Sequence, residues 1–291
     1  MLGYVDLRGI VRTLSGVDTP DATTKAVLAS NEMVRERPSE TCRSEIAGLA
    51  DAAPRLVFGS TEFTAETVRT EVGLELESSY AKELAATVGP VPGLNTTLFE
   101  RSILALGMGI DLGKLTEMMR NHARNIAENP YECRELESLN RTAKRQANRP
   151  VPTVVTQMRG LGLMLESLNF DGGMRPTEVN AVAIVRMQNP KSLIGRLQPF
   201  VPGMARAEIE DDGVPVPLQR LGRAVSVLKA PHVAQKGEAL GFSSGVGMQD
   251  ELATLLEKPT PESTRTAMAM SYDLDKFYAS LPKRVKQRMK I

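Results

Sequence analysis

The chain has 291 residues, with 36 Lys and Arg against 35 Asp and Glu and a formal net charge of +1. Its 42% apolar and 24% charged residues exclude a disordered chain, a collagen and a disulfide-dense miniprotein. The near-neutral charge supplies no global field for nucleic acid or anionic lipid, so no nucleic-acid partner is expected. No apolar run approaches the roughly 20 residues that cross a bilayer, and two histidines with two cysteines starve most metal sites.

Met1-Leu2-Gly3-Tyr4-Val5-Asp6-Leu7 enters strand-like apolar sequence at once, with no charged n-region and no long h-region. A natural start rarely falls inside an element, so upstream residues, an export signal or anchor among them, are expected to be missing from this chain. Tyr4-Val5-Asp6-Leu7 then precedes Ile10, Val11 and Leu14 at helical spacing. The aspartate stands where strand must become helix. Its carboxylate can accept the first free backbone N–H groups and complement the helix dipole.

The same turn recurs as Gly109-Ile110-Asp111-Leu112 and as Ser271-Tyr272-Asp273-Leu274. Asp6, Asp111 and Asp273 are therefore assigned as helix caps. Looser copies are Ala183 to Met187 before Asn189-Pro190, with proline at the helix start, and Leu240-Gly241-Phe242 leading to Asp250 and Leu252. Five such passages predict internal duplication, at a spacing too irregular for a solenoid.

Helical periodicity marks 21–35, 39–52, 79–88, 112–127 and 131–147. Residues 55–59 and the alternating segment 68–77 predict a hairpin with one wet face. A second hairpin is expected from 205–210 and 214–218 around Asp211-Asp212-Gly213, its return strand an edge because Pro215 and Pro217 lack donors. The breaker runs 89–93 and 149–152 punctuate the chain. The second suggests an N-terminal lobe, 1–148, and a C-terminal lobe, 149–291, interlocked. The fold class is α+β, with helices layered on largely antiparallel sheets.

Gly241-Phe242-Ser243-Ser244-Gly245 matches the G-x-S-x-G nucleophile elbow, but both His122 and His232 precede Ser243, against the chain order that elbow requires. Gly107-Met108-Gly109-Ile110-Asp111-Leu112-Gly113 imitates a dinucleotide fingerprint, yet two of its glycines fall in the strand rather than at the turn. No carboxylate pair, cofactor site or metal-ligand spacing emerges. Fourteen methionines and no Trp give a soft interior, and Met108, Met118, Met164, Met187, Met268 and Met270 could line an apolar site. Cys42 and Cys133 either pair in an oxidising compartment or act as small buried hydrophobes in a reducing one.

Cys42-Arg43-Ser44-Glu45-Ile46, Ala53-Pro54-Arg55-Leu56-Val57-Phe58-Gly59, Pro90-Val91-Pro92-Gly93-Leu94 and Asn129-Pro130-Tyr131-Glu132-Cys133 resemble an uncharacterised family of periplasmic or lipid-anchored envelope proteins of Gram-negative bacteria. Asp212-Gly213-Val214-Pro215-Val216 and Ser271-Tyr272-Asp273 extend the likeness. The resemblance implies an exported protein in the periplasm or at the outer membrane, a Cys42–Cys133 disulfide and no known activity. The expected function is non-enzymatic binding of an envelope protein or a lipid-like apolar ligand, with peripheral membrane association through the missing N-terminal anchor. The rivals are a serine hydrolase centred on Ser243 and a purely structural scaffold.

Overall fold

The computed structural model describes residues 2–19, 39–63, 68–172, 174–201, 203–218, 227–258 and 260–289. Strand β1 (Leu2–Asp6) runs into α1 (Leu7–Ser15), and α2 (Glu40–Ala52) precedes β2 (Arg55–Phe63), β3 (Val68–Glu75), α3 (Ser78–Thr87) and α4 (Thr97–Arg101). Then come β4 (Leu104–Met108), α5 (Leu112–Glu128), α6 (Glu137–Ala147), α7 (Thr153–Thr156), β5 (Met158–Phe170), β6 (Pro176–Met187) and α8 (Pro190–Leu197). The chain finishes with β7 (Val216–Pro217), β8 (His232–Lys236), β9 (Ala239–Ser244), α9 (Met248–Glu257), β10 (Met268–Tyr272), α10 (Leu274–Ser280) and α11 (Lys283–Met289). The fold is α+β, on antiparallel sheets.

Two compact units divide the chain, Met1–Ala86 with Glu117–Pro150, and Thr87–Thr116 with Val151–Ile291. The first holds a three-stranded sheet in the order β1-β2-β3, with α1 packed against α2. Its hairpin pairs Arg55 with Glu75 and Leu56 with Leu74, so the alternation in β3 keeps one register throughout that stretch. The second holds a seven-stranded sheet in the order β10-β4-β5-β6-β9-β8-β7. Residues 87–116 belong to it because β4 is paired on one side with β5 and on the other with β10.

Strand leads directly to capped helix in both units. Asp6 accepts from Gly9 N–H at 2.9 Å, Asp111 from Lys114 N–H at 3.0 Å and Asp273 from Lys276 N–H at 2.9 Å. Asn189 accepts from Ser192 N–H with Pro190 at the first helical position. Before α9 the turn is made by Gly245 and Gly247, both at positive φ, with no side-chain cap.

Three expectations need correction or completion. The helix expected over 131–147 begins as a 3-10 turn, Arg134–Leu136, and is α-helical only from Glu137. The backbone before it is held elsewhere, since Tyr131 N–H donates to Asn140 Oδ1 and Glu132 and Cys133 N–H donate to Glu45. The hairpin expected over 205–218 does not form. Met204–Arg206 is a 3-10 turn, and β7 pairs instead with His232–Val233 of β8, at the sheet edge. Gly213 N–H donates to Gln235 O and Asp211 accepts from Gly237 N–H, which docks the Asp-Asp-Gly turn onto β8–β9. The β5–β6 hairpin at the sheet centre is far longer than the short strand near residue 185 that the sequence suggested. The helix expected over 21–35 lies outside the described residues.

Candidate functional site

Residues in register across an antiparallel ladder share a face, so pairing fixes what each side of the seven-stranded sheet presents. On the first face lie Ala105, Gly107, Gly162, Met164, Val182, Ile184, Gly241 and Ala234. Leu98 and Phe99 of α4 and Met248, Leu252 and Leu256 of α9 cluster on Met164, Val182 and Ile184 there. The small residues are a steric requirement. A Cβ on Gly162 would meet Pro92 O at 2.3 Å, and one on Gly107 would meet Val91 Cγ1 at 2.2 Å.

The leucines of β4 and β5 point to the second face. Three rungs cross β10, β4, β5 and β6 there: Met268–Met108–Leu161–Val185, Met270–Leu106–Leu163–Ala183 and Tyr272–Leu104–Leu165–Ala181. All are apolar but for the tyrosine hydroxyl. Four strands by three rungs make a surface of about 14 by 13 Å. Beyond β6 the same face continues into Leu240 and Phe242, where Ile194 of α8, Met204, Leu218 and Val233 close it as a second core cluster. Toward β10 the face opens. Leu104, Leu106, Met108, Leu161, Leu163 and Leu165 are half-buried, while Met268, Met270 and Tyr272 are 71%, 62% and 60% exposed.

The methionines separate along these lines. Met108, Met268 and Met270 meet on the open face, whereas Met164 is a fully buried core residue on the first face, Met187 is fully buried at the end of β6, and Met118 is half-buried on α5 in the first unit. The leucines that dominate the face escaped the sequence. Their signal is the alternation Leu161-Gly162-Leu163-Met164-Leu165, in which glycine marks the side pressed by a loop and leucine the side left free.

Asp111 and Asp273 do not assemble a centre. Antiparallel pairing of β4 with β10 sets Asp111 and Asp273 beyond opposite ends of the pair, and each carboxylate is engaged by its own helix. At Asp273 the backbone N–H and then the ammonium of Lys276, whose Nζ lies 3.0 Å from Oδ2, hold the carboxyl below its usual range. Glycines of the dinucleotide-like run serve packing. A Cβ on Gly109 would strike Gly89 O and one on Gly113 would strike Thr156 O.

Ser243 sits inside β9, not on a turn, and is 5% exposed, with no hydrogen-bond partner for its Oγ among the described residues. Its cross-strand neighbour is His232, whose Nδ1 lies 2.8 Å from Ala230 O. An elbow nucleophile stands exposed on a strained turn, and here that turn belongs to Gly245 and Gly247.

In the first unit, Cys42 of α2 and Cys133 form a disulfide, both cysteines buried. Glu45, one turn along α2, accepts the N–H groups of Glu132 and Cys133, both at 2.9 Å. Glu135 Oε2 lies 3.0 Å from Cys42 Sγ and 3.2 Å from Cys133 Sγ. Among the described residues no helix is long and apolar enough to cross a membrane.

No family model matches the chain, and no curated protein or solved structure is matched by it.

Proposed function

We propose that the protein is a non-catalytic binding module of the bacterial envelope that takes an apolar, lipid-like ligand on the β10-β4-β5-β6 face. The observation that carries this is the three consecutive rungs without a charged or amide side chain, opening toward exposed Met268, Met270 and Tyr272. Protein-binding hot spots concentrate Trp, Tyr and Arg, and this face has one tyrosine among leucine, methionine, alanine and valine. These aliphatic and thioether side chains suit acyl chains, because the unbranched, polarizable methionines adapt to irregular apolar shapes. The disulfide is compatible with an oxidising, extracytoplasmic compartment, which supports the envelope setting.

An open face desolvates one side of a chain, so each methylene contributes roughly half of the ~0.8 kcal/mol for full burial. Lengthening a fluorescent fatty-acid probe by four carbons should then tighten binding about fifteenfold. Leu106→Asp and Met270→Asp should each weaken it at least tenfold, while Met119→Asp, on α5, leaves it unchanged. Failure of any such probe to bind, or indifference to Met270→Asp, would remove this function. Native mass spectrometry after gentle extraction adds an independent check, since a carrier brings lipid with it and a scaffold does not.

The juxtaposition of His232 with Ser243 favours one second possibility, hydrolysis at Ser243 with His232 as base. A serine-reactive fluorophosphonate decides it, and the absence of an adduct on Ser243 ends that option.

A further inference from the structure

Reduction of the disulfide would leave three ligand-type side chains gathered at one point of the first unit. The Cys42 and Cys133 sulfurs and a Glu135 carboxylate oxygen all lie within 4.8 Å of one another. Cys42 is 2% and Cys133 3% exposed, so both thiols would be sheltered, while Glu135 is exposed and free to adjust. Three features hold the group together without the covalent bond. Ser39 caps α2 by accepting Cys42 N–H, fixing that residue in the first helical turn. Glu45 clamps the backbone of Glu132 and Cys133 against the same helix. The 3-10 turn from Arg134 to Leu136 then carries Glu135 back over the two sulfurs. The dipole of α2, moreover, favours negative charge in its first turn, where a thiolate would form.

We propose that this cluster is a redox-gated cation site: oxidised, it is a structural disulfide, and reduced, it binds a thiophilic d10 cation of the zinc class through Cys42, Cys133 and Glu135. Two thiolates and one carboxylate select zinc over magnesium or calcium, which demand oxygen donors. Three protein ligands leave a fourth tetrahedral position for water.

The gating step balances with a dithiol as reductant. One thiolate of the dithiol attacks a sulfur of the disulfide, breaking the Cys42–Cys133 bond and forming a mixed disulfide. The second thiolate then displaces the protein sulfur. Two electrons pass to the protein, the dithiol ends as a disulfide, and both cysteines take up protons. Metal binding releases those two protons to solvent as the sulfurs ligate in their thiolate form.

The test uses the full chain, reduced anaerobically with a phosphine and titrated with Zn2+ against a chromophoric chelator, with Co2+ as the spectroscopic substitute. The reduced protein should bind one Zn2+, show thiolate-to-cobalt charge-transfer absorption, release two protons per metal and gain thermal stability on loading. The oxidised protein should do none of these. Glu135→Gln, a change at an exposed side chain, should weaken Zn2+ at least tenfold while leaving the oxidised protein's melting unchanged, and Cys42→Ser should abolish the charge-transfer band. Zinc affinity equal in reduced and oxidised protein, or equal in Glu135→Gln and the natural chain, overturns the proposal. Should reduction itself unfold the first unit, Zn2+ must restore its circular dichroism, and failure to restore it overturns the proposal equally.

Discussion

The backbone N–H of Cys133 donates to Glu45 Oε2 at 2.9 Å, and the other oxygen of the same carboxylate accepts from Glu132. Glu45 stands one turn beyond Cys42 on α2, so one helix face grips the 132–133 backbone twice, once covalently and once through charge-assisted hydrogen bonds. Glu45→Ala strips the acceptors from an exposed donor at Glu132 and a part-buried one at Cys133 and should cost about 1–2 kcal/mol in urea unfolding. Glu45→Gln keeps one carbonyl acceptor and should cost less. A Glu45→Ala cycle with Cys133→Ser should be non-additive, because both changes release one segment.

The disulfide closes a sequence separation of 91 residues. Chain-entropy reasoning puts the resulting stabilisation at about 4–5 kcal/mol. A paired Cys42→Ser, Cys133→Ser variant, assayed without metal, should therefore lose stability of that order in the unit formed by 1–86 and 117–150. The urea dependence of the seven-stranded unit should move far less. Tyr131 fluorescence, set against hydrogen exchange in β4–β6, separates the two responses.

What the sequence disclosed was local chemistry. Each capping aspartate bonds to an N–H three residues on, so residue type and the following helical spacing sufficed to place it. The alternation in β3 likewise announced a hairpin with β2. What stayed hidden depends on distant partners. β10 pairs with β4 although Tyr272 and Leu104 are far apart in sequence, and no short-range signal specifies that pairing. The apolar face exists only once the strand order is fixed, because register decides that Met270, Leu106, Leu163 and Ala183 share a rung. Helical periodicity from Tyr131 was overridden by the tie at Cys133 and by Glu45.

Glu77 makes the start of α3 sensitive to acid. Its carboxylate accepts from the hydroxyl of Ser79, then from that of Ser78 and from the Ser79 N–H, and this holds its pKa at about 2 against an ordinary 4.5. A carboxyl depressed in the folded state stabilises above its unfolded pKa, and that contribution is lost as protons return. Between about pH 4.5 and pH 2 the thermal midpoint of the first unit should fall with a slope to which Glu77 contributes. Glu77→Gln should flatten that slope, lowering stability at neutral pH while changing little at pH 2. An unchanged pH profile in Glu77→Gln would mean that the serine hydroxyls prefer solvent.

Close backbone approach at Gly109 makes the start of the β4-to-α5 passage intolerant of any side chain. A Cβ there would lie 2.2 Å from Gly89 O and 2.5 Å from Thr266 O, both backbone atoms. Neither can yield cheaply, because Gly89 N–H donates to Gly109 O, Gly109 N–H to Ala267 O and Thr266 N–H to Gly89 O. Gly109→Ala should therefore destabilise by at least the 1–3 kcal/mol typical of overpacking, roughly. Gly48, inside α2, has nothing among the described residues within 4 Å of the corresponding position. Gly48→Ala should instead stabilise by about 0.5–1 kcal/mol through helix propensity and reduced unfolded-state entropy. Urea midpoints moving in opposite directions for these two substitutions would establish that the glycines of 107–113 are steric fixtures of the sheet. If Gly109→Ala leaves the midpoint unchanged, the 87–90 and 264–267 segments do not close on Gly109 as their hydrogen bonds place them.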